Sequence, residues 1–216
     1  MKGLLIVVSG FSGVGKGTIV KELLRRYPDV YELSISVTTR RMRLGEEEGR
    51  EYFFRSREVF EEMIRNGDLL EHAVYNGNYY GTPKPYVLEK LSEGKNVILE
   101  IEMQGGAQIK RVFPEAQLLY IVPPNAKELF ERLKHRNTET PEEIHRRLKR
   151  AIEETAYMPS YDFVVVNDDL EACIQEVHAL FEHEREVFDE RQRLAEKLKE
   201  QLVEITEEES YVTSVL

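Results

Sequence analysis

Residues 10–18 read Gly-Phe-Ser-Gly-Val-Gly-Lys-Gly-Thr and follow directly on the apolar run Leu4 to Val8. A buried strand that breaks into a glycine-rich turn lets successive backbone N–H groups converge on one concavity, and a helix opening at Lys16 adds the positive end of its dipole. That arrangement binds anions of phosphate size, and the spacing satisfies G-x-x-x-x-G-K, with Lys16 set to reach the outer phosphates of a nucleoside triphosphate. The candidate triphosphate residues are Gly10, Ser12, Gly13, Val14, Gly15, Lys16, Gly17 and Thr18. Gly17 stands where a Ser or Thr usually offers magnesium a hydroxyl, and Thr18 brings one a position later.

A second set of chemistry-bearing residues begins at Ser34. Arg40 and Arg43 are three apart, close enough for two guanidinium forks to take one phosphate, and Tyr52 and Tyr80 supply phenolic donors that bind anions without adding charge. Together they form a grip for a phosphomonoester. A third set, Arg132, Lys134, Arg136, Arg146, Arg147, Lys149 and Arg150, brackets the loop Asn137-Thr138-Glu139-Thr140-Pro141. In a chain this acidic, such a cluster reads as a mobile cover for polyphosphate, although a solvated helix face with i, i+4 pairs would look the same.

The elements that must position these groups alternate. Short apolar runs at Leu4 to Val8, Val97 to Ile101, Gln117 to Val122 and Phe163 to Val166 are separated by stretches of helical period at Lys16 to Tyr27, Glu58 to Asn66, Lys84 to Ser92, Gly106 to Val112 and Asn125 to Lys134. This predicts an α/β fold with a parallel sheet covered by helices on both faces. Residues 34–81 break the rhythm, and alternation over Glu51 to Arg55 reads there as antiparallel strand. From Leu180 onward the chain, rich in Glu, Arg, Lys and Leu, predicts one long helix that frays at Glu207 to Glu209, with a disordered end from Ser210 to Leu216.

Bulk properties narrow the function class. The 216 residues carry a net charge of −10, which disfavours a general nucleic-acid or anionic-membrane surface, and ten acidic against five basic side chains between Glu184 and Ser210 account for half of the excess. The lone Cys173 excludes an internal disulfide, and no Cys or His cluster has zinc spacing. The short N-terminal apolar run is neither a signal core nor a membrane span, so a cytoplasmic, soluble protein is expected.

Further stretches, Asp68-Leu69-Leu70-Glu71-His72-Ala73, Gly77-Asn78-Tyr79-Tyr80-Gly81-Thr82 and Ile98-Leu99-Glu100-Ile101-Glu102-Met103-Gln104-Gly105, follow in order. With the phosphate loop and the arginine segment they resemble the guanylate kinase family from near the N-terminus to about Glu184. The resemblance implies a P-loop NTPase-type core (1–33 and 95–184), an inserted mixed α+β GMP-binding subdomain (34–94) and a helical lid (132–150), together the family domain (1–184); the acidic helix and tail (185–216) lie beyond it, and the resemblance implies nothing for them. It implies transfer of the terminal phosphoryl group of ATP to GMP, with magnesium held through phosphate oxygens and water and Thr18 as the candidate direct ligand. It further implies a GMP-binding set of Ser36, Arg40, Arg43, Tyr52, Glu71, Tyr80, Thr82 and Glu102, an ATP contact at Asn167, and catalytic roles for Lys16, Arg43, Arg136 and Arg147. ATP and GMP, with dGMP, are the expected partners, and the chain acts as a monomer or homodimer. The family usually has proline where this chain has Phe11.

The residue chemistry agrees with guanine. Its N1–H and N2 amino group both donate, so a carboxylate such as Glu71 can accept from that edge, whereas adenine offers a bare N1 acceptor there. Such a mismatch can reject an analogue by about 10⁴-fold. Two rival readings are a binding module of the same fold without catalysis, against which Lys16 and the full GMP set argue, and a kinase for another small phosphorylated substrate.

Overall fold

A computed structural model describes residues 3–75, 77–135, 140–183 and 196–207. The chain divides into two compact units, Met1–Val7 with Leu24–Gln117 and Val8–Leu23 with Leu118–Leu216.

Strand β1 (Leu5–Gly10) passes from the first unit into the second, and its residues Leu5 to Val8 are all buried, as expected of a strand covered on both faces. In the first unit β2 (Tyr31–Leu33) pairs in parallel with β7 (Asn96–Glu100). In the second, β8 (Gln117–Val122) pairs in parallel with β9 (Phe163–Val166). The order through the whole sheet is β2-β7-β1-β8-β9, which bears out the parallel α/β reading.

The first unit also holds a four-stranded sheet in the order β4-β3-β6-β5, built from β3 (Val37–Thr38), β4 (Phe53–Phe54), β5 (Leu69–Tyr75) and β6 (Asn78–Pro83). The segment Glu51 to Arg55 differs from expectation: β4 runs parallel to β3, with Val37 opposite Phe53 and Thr38 opposite Phe54. The long connection 39–52 allows the crossover that parallel pairing needs, where a tight hairpin would have forced the antiparallel sense. The β5–β6 ladder is antiparallel, and its register shifts between Leu69 and His72.

The helices have readable causes. Helix α1 (Lys16–Arg26) buries Ile19, Val20 and Leu23 and stops short of Pro28. Helix α2 (Arg57–Asn66) is capped by the Ser56 side chain at Val59 N–H and ends on Gly67 in the left-handed region. Helices α3 (Lys84–Ser92) and α4 (Met103–Val112) complete the first unit. In the second, α5 (Ala126–Lys134) is capped by Asn125, and α6 (Pro141–Thr155) opens with a Thr140–Glu143 capping box. Helix α7 (Leu170–His183) begins ten residues before the predicted start at Leu180. A last helix, α8, spans 196–207, while 184–195 and the end from 208 lie outside the described residues. Helix α8 packs on its own unit, with Leu198, Leu202 and Thr206 buried and Gln201 Oε1 accepting from the N–H of Ala126 at 3.3 Å. Among the described residues no helix is long and apolar enough to cross a membrane.

Candidate functional site

In the second unit the loop 10–15 leaves β1 and enters α1. Gly13 and Gly15 have φ of +89° and +98°, which aims backbone N–H groups inward and strains any residue with a Cβ. Space closes the same positions: a Cβ at Gly13 would meet Leu133 Cδ2 at 2.7 Å, and one at Gly15 would meet Asn167 Nδ2 at 2.7 Å. Lys16 arches over the loop, its Nζ donating to the carbonyls of Gly10 at 2.6 Å and Phe11 at 3.1 Å.

Phe11 is fully buried and meets Tyr120 edge-on at 5.5 Å, and Tyr120 meets Tyr161 at 5.0 Å. An aromatic anchor therefore stands where the family has proline, fixing the loop from the core side. Asn167 is buried, and its Nδ2 donates to Val14 O at 2.7 Å, so its amide grips the loop backbone. Arg132 holds the same segment, with Nη1 donating to Asn167 O at 2.9 Å and Nε to Glu128. In the sequence Arg132 is one member of a basic cluster, and nothing local marks it as the residue bracing Asn167.

Arg147 of α6 donates to the Ser12 hydroxyl of the loop. One of the arginines assigned to the cover thus reaches the phosphate loop. Arg136 lies outside the described residues. Gly17 and Thr18 are exposed on the first turn of α1. The described residues contain no group of three His, Cys, Asp or Glu able to hold a metal. Thr18, two residues after Lys16, presents a hydroxyl, an oxygen ligand of the hard type that magnesium takes.

In the first unit two groups of predicted residues come together. Arg40 lies 5.2 Å from the centroid of the Tyr52 ring, Tyr52 meets Tyr80 at 5.8 Å, and Tyr80 sits opposite Thr38 in the β3–β6 ladder. Burial raises the Tyr52 phenol, with the Tyr80 charge adding and Arg40 opposing, so it stays a neutral donor at working pH. Arg40 carries a bond the sequence did not reveal. Its two terminal nitrogens clasp Glu46 at 3.0 and 2.8 Å, and Glu46 also accepts from Arg43 N–H at 2.7 Å. The Arg40 hydrogen bond, then the Arg43 backbone bond, pull the Glu46 carboxyl down to about 2. Glu46 thereby folds the turn that carries both arginines, while the Arg43 side chain is exposed.

The second group is a buried carboxylate and its donor. Glu71 lies in the irregular part of β5, where a bulge re-aims side chains, and Thr82 of β6 donates to it through Oγ1 at 2.7 Å. Burial raises the Glu71 carboxyl above its ordinary value, opposed by hydrogen bonds from the Thr82 side chain and backbone. The Thr82 proton is directed at Glu71 and not outward. Ser36 is half-buried just before β3, its carbonyl accepting from Phe53 N–H, and Glu102 is exposed at the residue preceding α4. Cys173 is buried, its thiol pushed up to about 12 by burial, which removes it as a nucleophile.

A family model described as guanylate kinase matches residues 2–184. A guanylate kinase of Bacillus anthracis is 50% identical over 201 residues, which span 92% of this chain and 96% of that protein. One of Streptococcus thermophilus (strain CNRZ 1066) is 50% identical over 183 residues, spanning 85% and 88%. The crystal structure of guanylate kinase from Anaplasma phagocytophilum superposes with a TM-score of 0.67 at 31% identity, covering 85% of this chain and 86% of that one.

Proposed function

The chain belongs to the guanylate kinase family, and we propose that it transfers the terminal phosphoryl group of ATP to the phosphate of GMP, giving ADP and GDP, in purine nucleotide metabolism and the recycling of GMP. The observation that carries the substrate choice is the buried Glu71 carboxylate with Thr82 behind it. A carboxylate so enclosed accepts from the N1–H and N2 amino group of guanine and is left facing an acceptor by adenine. dGMP presents the same base edge and is taken as a second acceptor.

A GMP phosphate oxygen attacks the γ-phosphorus as the bond to the ADP oxygen breaks, and no base is required because the nucleophile is already ionised near neutral pH. The transition state is loose, so the chain contributes placement and charge. Ser12, Gly13, Val14, Gly15, Gly17 and Thr18 hold the ATP phosphates through backbone and hydroxyl groups, with Gly10 and Asn167 shaping that loop. Lys16 leaves its carbonyl contacts for the outer phosphates. Arg40, Arg43, Tyr52 and Tyr80 hold the GMP phosphate, and Ser36, Glu71, Thr82 and Glu102 serve its base. Arg43, Arg136 and Arg147 neutralise the oxygens of the group in transfer. The Thr18 hydroxyl, with phosphate oxygens and water, would hold the magnesium that accompanies ATP, and that ion would supply charge neutralisation at the phosphates. The GMP-binding part is taken as 34–94 and the lid as 132–150, with the reaction in the cytoplasm.

Incubation with magnesium, ATP and GMP, followed by anion-exchange separation of nucleotides, should yield ADP and GDP in equal amounts. ADP formed without GDP would mark the protein as an ATPase and refute the assignment.

A further inference from the structure

Thr82 holds Glu71 from one side, and helix α4 meets it from another. Gln108 on α4 makes two hydrogen bonds to one residue of β5: its Oε1 accepts from the N–H of His72 at 3.3 Å, and its Nε2 donates to the carbonyl of His72 at 3.1 Å. β5 is the edge of its sheet, so the carboxamide satisfies backbone groups that a further strand would otherwise pair. Three residues earlier on the same helix face, Gly105 leaves the space the carboxylate occupies: a Cβ there would fall 2.8 Å from Glu71 Oε2 and 3.3 Å from Glu71 Cδ. The register of β5 is broken between Leu69 and His72, so the ladder alone does not fix Glu71. The Gln108 bonds begin at the residue where pairing resumes.

We propose that Gln108 is a positioning residue for guanine selection, clamping the backbone of His72 so that the adjoining Glu71 carboxylate is held in the gap left by Gly105. The proposal rests on Glu71 being the acceptor for guanine. Gln108 does not meet the base. It acts through Glu71, and that dependence separates it from an ordinary structural contact.

The test is a double-mutant cycle of Gln108→Leu and Glu71→Gln, with kcat, the KM for GMP and for ATP, and the ratio of kcat/KM for GMP over AMP measured in each protein. Gln108→Leu should raise the GMP KM about tenfold and lower the GMP-over-AMP ratio, with kcat and the ATP KM changed by less than about twofold. Added to Glu71→Gln, it should change the GMP KM by less than about twofold, because its route of action is already gone. A full tenfold effect in the Glu71→Gln background, or equal changes in both KM values and kcat, overturns the positioning role. A Glu71→Gln protein with unchanged GMP KM and selectivity overturns the guanine reading itself, and the positioning role with it. Gly105→Ala gives a second arm that leaves Gln108 intact. Its methyl displaces the carboxylate and should raise the GMP KM alone, and an unchanged value would count against the proposal even if Gln108→Leu failed to fold.

Discussion

Thr82 Oγ1 donates to Glu71 Oε1 at 2.7 Å, and the two side chains are 0% and 6% exposed. A buried carboxylate needs such a donor, since loss of one partner leaves the other desolvated without compensation, at a cost of about 1–3 kcal/mol. Thr82→Val, which removes the hydroxyl at nearly constant volume, should therefore raise the GMP KM about tenfold and lower Tm by a few degrees, while Thr82→Ser restores both. Steady-state kinetics and thermal unfolding read the two effects, and a Thr82→Val protein unchanged in GMP KM would show that the hydroxyl does not serve the carboxylate.

Acid should weaken GMP selection before it breaks the arginine turn. Burial raises the Glu71 carboxyl above 4.5, so as pH falls it protonates earlier than an ordinary glutamate and loses its capacity to accept from guanine. The stability consequence has the opposite sign: a raised carboxyl favours the fold at low pH, and that contribution is lost as pH rises through the raised value. Glu46, held near 2, remains ionised throughout, and its stabilising effect is lost only as pH falls toward that value. The ratio of kcat/KM for GMP between wild type and Glu71→Gln cancels the titration of the GMP phosphate. It should decline on the acid side, and a flat ratio would contradict the assignment.

Arg147 donates to the Ser12 hydroxyl in the phosphate loop, and in the proposed mechanism its guanidinium neutralises the phosphoryl group in transfer. Arg147→Ala should lower kcat at least about a hundredfold, with the GMP KM changed by less than about twofold. An equal loss in kcat and in GMP affinity would remove Arg147 from the transfer step.

Helix 196–207 buries Leu198 and Leu202 and meets the first N–H of α5, the helix whose Leu133 closes on Gly13. Removing 196–216 should lower Tm by about 6–24 °C, from the loss of two buried leucines at about 1.5–3 kcal/mol each and about 2–4 °C per kcal/mol. It should also raise the ATP KM more than the GMP KM. An unchanged Tm would mean that the helix adds nothing to its unit.

The phosphate loop was legible because its chemistry is local: glycines, a lysine and a preceding apolar strand declare themselves within nine residues, and Gly13 and Gly15 stand at the positive φ values that such a loop requires. Glu71 was legible only through the company of the other stretches, since nothing in Leu-Leu-Glu-His says that the carboxylate is buried. What escaped was tertiary. Phe11 read as a departure from the family, and its partner Tyr120 lies far along the chain. Glu46 stood beside Arg43 in plain view, yet its bidentate hold on Arg40 depends on how the turn folds. The parallel sense of β4 was hidden for the same reason, because alternation reports which face is buried and not the direction of the neighbouring strand.

The central claim is most directly tested by ADP release from ATP and magnesium with GMP, AMP, CMP or UMP in turn, followed in a coupled spectrophotometric assay. Turnover with GMP, and with AMP lower in kcat/KM by about 10⁴-fold, is the predicted result. Comparable turnover with AMP, or none with GMP from a folded protein that binds it, would contradict the account.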